Sequence, residues 1–235
     1  MEFINRNSFD VRAAVCEYRH PTAALSFTLI PMVHVATRGF YYRIRQLVDE
    51  CDVIFAEGVR SARSNLLTRA YRWMALKHDL GLVLQSEALP DADLRNKAIY
   101  PDMPGHTFDT KWSGLPFTTR MFIACVVPFY AIYLRLFATR ELIAQHLQVD
   151  QLTQRDEALD LDEHAEAVME LILDERDSLL CKALHKYFTD NHDRPIAAAV
   201  VYGAGHMIAV ADLLRQLGYR VQKSEWVIVF ELDAA

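Results

Sequence analysis

The chain has 235 residues and a mass of 27.0 kDa; 52% of its residues are hydrophobic, 24% are charged, and it holds 8 glycines and 8 prolines. That is enough chain for one full core and too apolar for intrinsic disorder, and it excludes collagen-like and small disulfide-stapled scaffolds. With 25 basic against 31 acidic residues, net −6, broad electrostatic binding to nucleic acid or anionic lipid is excluded, while a local basic patch is not.

The amino terminus, MEFINRNSFDVR, carries Glu2, Arg6 and Asp10 where a signal peptide needs an apolar stretch, so no export signal is expected. Cys16, Cys51, Cys125 and Cys181 lie tens of residues apart without a CxxC pair, which suits reduced thiols and a cytoplasmic location. Ala24 to Pro31 reads as a strand. Gly39 to Glu50 has helical period, with Tyr42, Leu47 and Val48 on its apolar side, and Asp52 to Glu57 is a buried strand. Residues 60–191 are mostly helical in pattern, with a Pro/Gly/Asp-rich loop from Pro101 to Pro116 and a helix over roughly Leu159 to Phe188. Then come a strand at Ile196 to Tyr202, a helix at Met207 to Leu217 closed by Gly218, and a strand at Trp226 to Leu232.

These are two β-α-β units, and they resemble each other. Each first strand ends just before a histidine, each helix contains Arg-Gln-Leu (Arg45 to Leu47, Arg215 to Leu217), and each second strand ends in glutamate. The expected architecture is one α/β (α+β) domain over 1–235: a central mixed sheet from two related halves, with a large helical insertion between them.

The three longest stretches free of Asp, Glu, Lys and Arg are His20 to Thr37, Met121 to Leu134 and Pro195 to Ala211. The first and third are broken by prolines, glycines and histidines. The second, MFIACVVPFYAIYL, lies between Arg120 and Arg135 and falls short of a hydrocarbon core roughly 30 Å thick. A buried helical pair kinked at Pro128 is the favoured expectation, with peripheral membrane contact through residues 115–138 as the alternative.

In α/β sheets the working residues lie beyond the carboxyl ends of the strands, where His34, Glu57 and His206 all fall. Two imidazoles and a carboxylate suit a divalent metal with an open position and equally a metal-free acid/base pair; spacing alone specifies neither. Each residue also has a structural reading, with Glu57 capping a helix that begins near Val59. His206 follows Gly203-Ala204-Gly205 at a helix amino terminus, whose positive end favours a neutral ring. A dinucleotide-binding reading of the same GxG is discounted, because Ile208 stands where the third glycine belongs.

Arg176 is the lone charge on an apolar stripe running through Leu161, Ala165, Val168, Ile172, Leu179, Ala183 and Tyr187. A guanidinium pointed into a core needs a partner. A buried pair with Glu57 or Asp212 and a role in holding a substrate carbonyl or developing oxyanion both stand at this point. Glu175 and Asp177 fall off the stripe and are expected to be solvated. The run RAYRWMALKH (Arg69 to His78) reads as an amphipathic helix, and no GxSxG, GxxxxGK[ST], HExxH or zinc spacing occurs.

The segments Leu29-Ile30-Pro31-Met32-Val33-His34-Val35, Asp52-Val53-Ile54-Phe55-Ala56-Glu57, Asp174-Glu175-Arg176-Asp177 and Val201-Tyr202-Gly203-Ala204-Gly205-His206 together resemble the TraB/Tiki family, with distant similarity to erythromycin esterases and ChaN-like proteins. That family has two GxxH motifs, an acidic residue closing the second strand, and an arginine in a helix before the second GxxH. Gly203 to His206 matches one motif in full, and Pro31 stands in place of the glycine in the other. The resemblance implies a pheromone-shutdown or Tiki-like, peptidase-like hydrolase that binds divalent Mn, Co or Zn through His34, Glu57 and His206. Arg176, Gly203 and Gly205 would lie against a peptide or small-molecule substrate. The alternative is a regulator that binds such a ligand in the same cleft without turnover, at the membrane surface.

Overall fold

The computed structural model describes residues 2–58, 80–90, 96–145 and 173–232. A seven-stranded mixed sheet forms the centre. Its parallel part comprises β3 (Ser26–Met32), β8 (Ala197–Gly203), β5 (Val53–Ala56) and β7 (Ala98–Ile99), side by side in that order. On the other side of β3 lies the long antiparallel strand β2 (Asp10–Arg19), which carries β9 (Arg220–Glu231) along its whole length. The first half of β2 also holds β1 (Ile4–Arg6), and its second half holds β3. A separate two-stranded pair joins β4 (Val35–Ala36) to β6 (Val83–Leu84).

The two β-α-β units are present and interlocked. Their first strands, β3 and β8, pair in parallel at the centre, from Ser26 opposite Ala197 to Met32 opposite Gly203. The chain leaves β3 through α1 (Arg38–Asp49) and crosses β8 to reach β5; it leaves β8 through α6 (Met207–Gln216) and crosses in the opposite direction to β9. Crossovers of one hand that run in opposite directions must place their helices on opposite faces. Accordingly Phe40, Tyr41, Ile44 and Val48 of α1 pack on the face of Ile30, Ile54 and Val201, while Met207, Val210 and Leu214 of α6 pack on the face of Phe27, Phe55 and Tyr202. Alternate residues of one strand serve the two cores, so β8 is apolar throughout, as a strand buried on both faces must be.

Local signals set the element ends. Thr37 caps α1: its hydroxyl accepts from the Phe40 N–H at 3.3 Å and donates to the Val229 carbonyl at 3.0 Å. Gly218 follows α6 in the left-handed region at φ 92°, and the Tyr219 N–H returns to the Leu214 carbonyl at 2.9 Å. No disulfide joins the four cysteines.

Several expectations are corrected. The buried face of α1 is Phe40, Tyr41, Ile44 and Val48, and Tyr42 points to solvent. Strands β1 and β2 were not anticipated, and β9 begins six residues earlier than the apolar run, at Arg220, because full-length pairing with β2 satisfies the backbone of its polar first half. The supposed loop Pro101 to Pro116 contains the helix α3 (Gly105–Gly114), which buries Phe108 and Trp112. The apolar block is one helix, α4 (Phe117–Phe137), that runs through Pro128 and is largely exposed rather than buried. In α5 (Glu175–Asn191) the stripe turns by one position after Arg176, so Leu180 and Leu184 are fully buried and Leu179 is exposed. The short helix α2 (Gln85–Ala88) follows β6. The expected helix near Val59, the run Arg69 to His78 and the helical stretch from Leu159 to Ile172 lie outside the described residues.

Candidate functional site

The carboxyl ends of the three central parallel strands deliver the expected residues to one place. Glu57 follows β5 and is anchored there by its own N–H, which donates to the Val201 carbonyl at 3.1 Å. His206 closes the one-turn 3-10 helix Ala204–His206 between β8 and α6 and is buried. His34 stands on the turn between β3 and β4, exposed, with its carbonyl accepting from the Gln85 N–H at 3.0 Å. The Tyr41 hydroxyl of α1 ties down the same turn by donating to the Val33 carbonyl at 2.9 Å.

Arg176 enters from the first turn of α5. Its Nη2 donates to Glu57 Oε1 at 2.6 Å and to Asp102 Oδ2 at 2.7 Å, and its Nε donates to Asp102 Oδ1 at 2.8 Å. The Asp102 grip is the bidentate fork for which a guanidinium is suited. Asp102 is itself fixed by the Gly58 N–H at 3.1 Å and the Met103 N–H at 2.8 Å, and its side chain is only 2% exposed. Of the two readings open for Arg176, the buried pair with Glu57 is the one observed, with Asp102 as a second, bidentate partner. Asp212 pairs instead with Arg215 on the surface.

Glu57 Oε2 accepts from the Gly203 N–H at 2.9 Å. Gly203 has an ordinary backbone conformation, and its value is close approach: a Cβ there would lie 3.3 Å from Glu57 Oε2 and 3.7 Å from His206 Cδ2. Gly205 sits in the 3-10 turn and shapes the backbone ahead of His206. Burial pushes the Glu57 carboxyl up, yet the facing Arg176 guanidinium above all, with His206 and His34 beside it and the Arg176 hydrogen bond, holds it down at about 2. It is therefore ionised throughout the physiological range. Burial also works against the charged Arg176 guanidinium, and Glu57 and Asp102 more than reverse it.

The Asp177 and His206 pair was not foreseen. His206 Nδ1 lies 2.7 Å from Asp177 Oδ1, and its Nε2 faces Glu57 Oε1 at 4.0 Å. Asp177 was expected to be solvated, but its side chain is 14% exposed. At the amino terminus of α5 the helix end meets the strand ends, so residues either side of the apolar stripe also face the site. Glu175, the other neighbour, pairs with Lys111 nearer the surface. Under His206 lies Tyr202, its ring edge-on to the imidazole with centroids 5.5 Å apart; its hydroxyl is buried and has no hydrogen-bond partner among the described residues.

The donors do not fit a metal ion as they are placed. An ion bonded at about 2.1 Å to both His206 Nε2 and Glu57 Oε1 would have to subtend about 145° across their separation, far from the tetrahedral angle. Arg176 already sits 2.6 Å from that same oxygen. Among the described residues no group of three or more His, Cys, Asp or Glu side chains is arranged to hold an ion. In comparisons with known proteins, no family model, no curated protein and no solved structure matches the chain.

Proposed function

We propose that the chain is a hydrolase in which His206, oriented by Asp177, activates water beside Glu57. The observation that carries this reading is the line from Asp177 Oδ1 through His206 to Glu57 Oε1, with separations of 2.7 and 4.0 Å. A carboxylate on Nδ1 selects the tautomer whose Nε2 lone pair is free to take a proton. A water about 2.8 Å from both Nε2 and Oε1 would subtend about 90° between them, within the broad acceptor geometry a water accommodates.

In the proposed reaction His206 Nε2 takes a proton as the water oxygen bonds to an acyl carbon, and Asp177 stabilises the imidazolium that results. The imidazolium then returns the proton to the departing amine or alcohol as the acyl bond breaks. Glu57, ionised and clamped by Arg176 and the Gly203 N–H, orients the water and does not itself titrate in this range. Arg176, with Glu57 and Asp102 in its grip, acts as a positioning residue. A peptide or other acyl substrate is the class that the TraB/Tiki resemblance supports, with His34 at the exposed rim where it would enter. A cytoplasmic setting belongs to the same proposal and is supported by four cysteines without a disulfide.

The metal-dependent form of the hydrolase, suggested by that resemblance, would require Arg176 to release Glu57. A second reading, a regulator that holds a peptide or small ligand in the same cleft without turnover, is favoured by Pro31 in the first motif and by the engagement of Arg176 with two carboxylates.

Hydrolysis of peptide and ester libraries, measured with Mn, Co, Zn or a chelator, separates the three. The expected result is turnover indifferent to chelator, abolished in His206→Ala and lowered at least about a hundredfold in Asp177→Asn, with melting temperatures held. Turnover that requires an added ion establishes the metal-dependent form. Ligand binding without turnover under every condition establishes the regulator.

A further inference from the structure

Among the described residues, the apolar helix α4 packs on the protein along one side. Ala131, Leu134 and the following Ala138 pack into the core on the α1 face of the sheet, and Ile123 touches the small cluster around Trp112. At about 100° per residue, the exposed residues Phe117, Phe122, Phe129, Tyr133, Leu136 and Phe137 fall in one arc of about 200° on the opposite side. The five aromatic rings among them are 45% to 75% exposed. At roughly 200 Å² per ring they alone present about 600 Å², the size of the largest apolar patch on an ordinary monomer, before Met121, Val126, Ile132 and Leu136 are counted.

Charge distinguishes lipid from a protein partner. The whole chain carries net −6, yet between Lys111 and Glu141 its only charged residues are Arg120, Arg135 and Arg140. Arg135 stands at the margin of the exposed arc, and no carboxylate lies on the helix. An aromatic-rich face free of anions, with the exposed Arg135 at its margin, complements a bilayer with anionic headgroups, with rings in the acyl boundary and that guanidinium at phosphate level. Two copies paired with their α4 helices parallel would bring Arg135 against Arg135 at that margin.

By length and composition α4 is the one helix among the described residues that could cross a bilayer. Its core contacts through Ala131, Leu134 and Ala138 instead tether it to the domain. We propose that α4 is an in-plane membrane anchor that inserts its exposed apolar face into an anionic bilayer and holds the sheet at the membrane surface. This does not depend on the hydrolase reading.

The full-length protein is sedimented with sucrose-loaded vesicles of phosphatidylcholine, with and without about 30% phosphatidylserine, at low and high salt. The wild type is expected to bind the anionic vesicles better, less so at high salt, and Phe122→Asp/Phe129→Asp is expected to lose at least about tenfold in partitioning without a change in melting temperature. Four results overturn the proposal: no sedimentation with either vesicle; equal binding to pure phosphatidylcholine; a wild-type dimer in solution that the double variant disperses; or a lowered melting temperature in the variant, which would show that the face packs within the protein.

Discussion

Replacement of Glu57 by Gln tests the electrostatic account of the site directly. The carboxyl is held at about 2 against an ordinary 4.5. At about 1.4 kcal/mol per pH unit, that difference contributes about 3 kcal/mol of stability at neutral pH. Because the folded-state value lies below the unfolded one, the contribution is fully present above about pH 5 and is lost as pH falls toward 2. Linkage arithmetic puts about 2 kcal/mol of that loss between pH 5.5 and pH 3. Glu57→Gln keeps the shape and a hydrogen-bonding oxygen and removes the titration, and Asp102 continues to hold Arg176. The assay is urea unfolding followed by circular dichroism at several pH values, on wild type and variant. The variant should be less stable by up to about 3 kcal/mol at pH 6, and the gap should shrink by about 2 kcal/mol at pH 3. A gap that is the same at both pH values would refute the claim that Arg176, His206 and His34 hold this carboxylate ionised.

Gly203→Ala places a methyl group 3.3 Å from Glu57 Oε2 and 3.7 Å from His206 Cδ2. A loss of about 1–3 kcal/mol in thermal or urea unfolding is expected, together with a sharp fall in any activity that depends on His206; a neutral substitution would refute the close packing of Gly203 against Glu57 and His206. Leu184→Ala removes a fully buried side chain of α5 from the face it shares with Leu180, α6 and the sheet, and should cost about 2–5 kcal/mol, whereas Leu179→Ala on the exposed side should cost little. Equal effects at the two leucines would mean that α5 is rotated from its assigned face.

The sequence by itself determined the elements whose information is local. Period-2 and fully apolar runs marked β3, β5 and β8, the helical period and Gly218 marked α6, and the rule that strand carboxyl ends carry the chemistry selected His34, Glu57 and His206. The lone charge on the α5 stripe picked out Arg176 for the same local reason. Tertiary structure alone decided the partners. Arg176 meets Asp102 across 74 positions and Glu57 across 119, while His206 meets Asp177 across 29. No spacing rule encodes such pairs, because they depend on which strand ends the crossovers bring together. Only the fold could show that β2 recruits a polar stretch of β9, since the burial of a backbone depends on the strand that pairs with it. The 14 charge-free residues from Met121 to Leu134 show the same division. Their pattern predicts a buried helical pair kinked at Pro128, whereas a single helix that packs on the core through Ala131, Leu134 and Ala138 and leaves the rings of its other side to the solvent was decided by tertiary contacts.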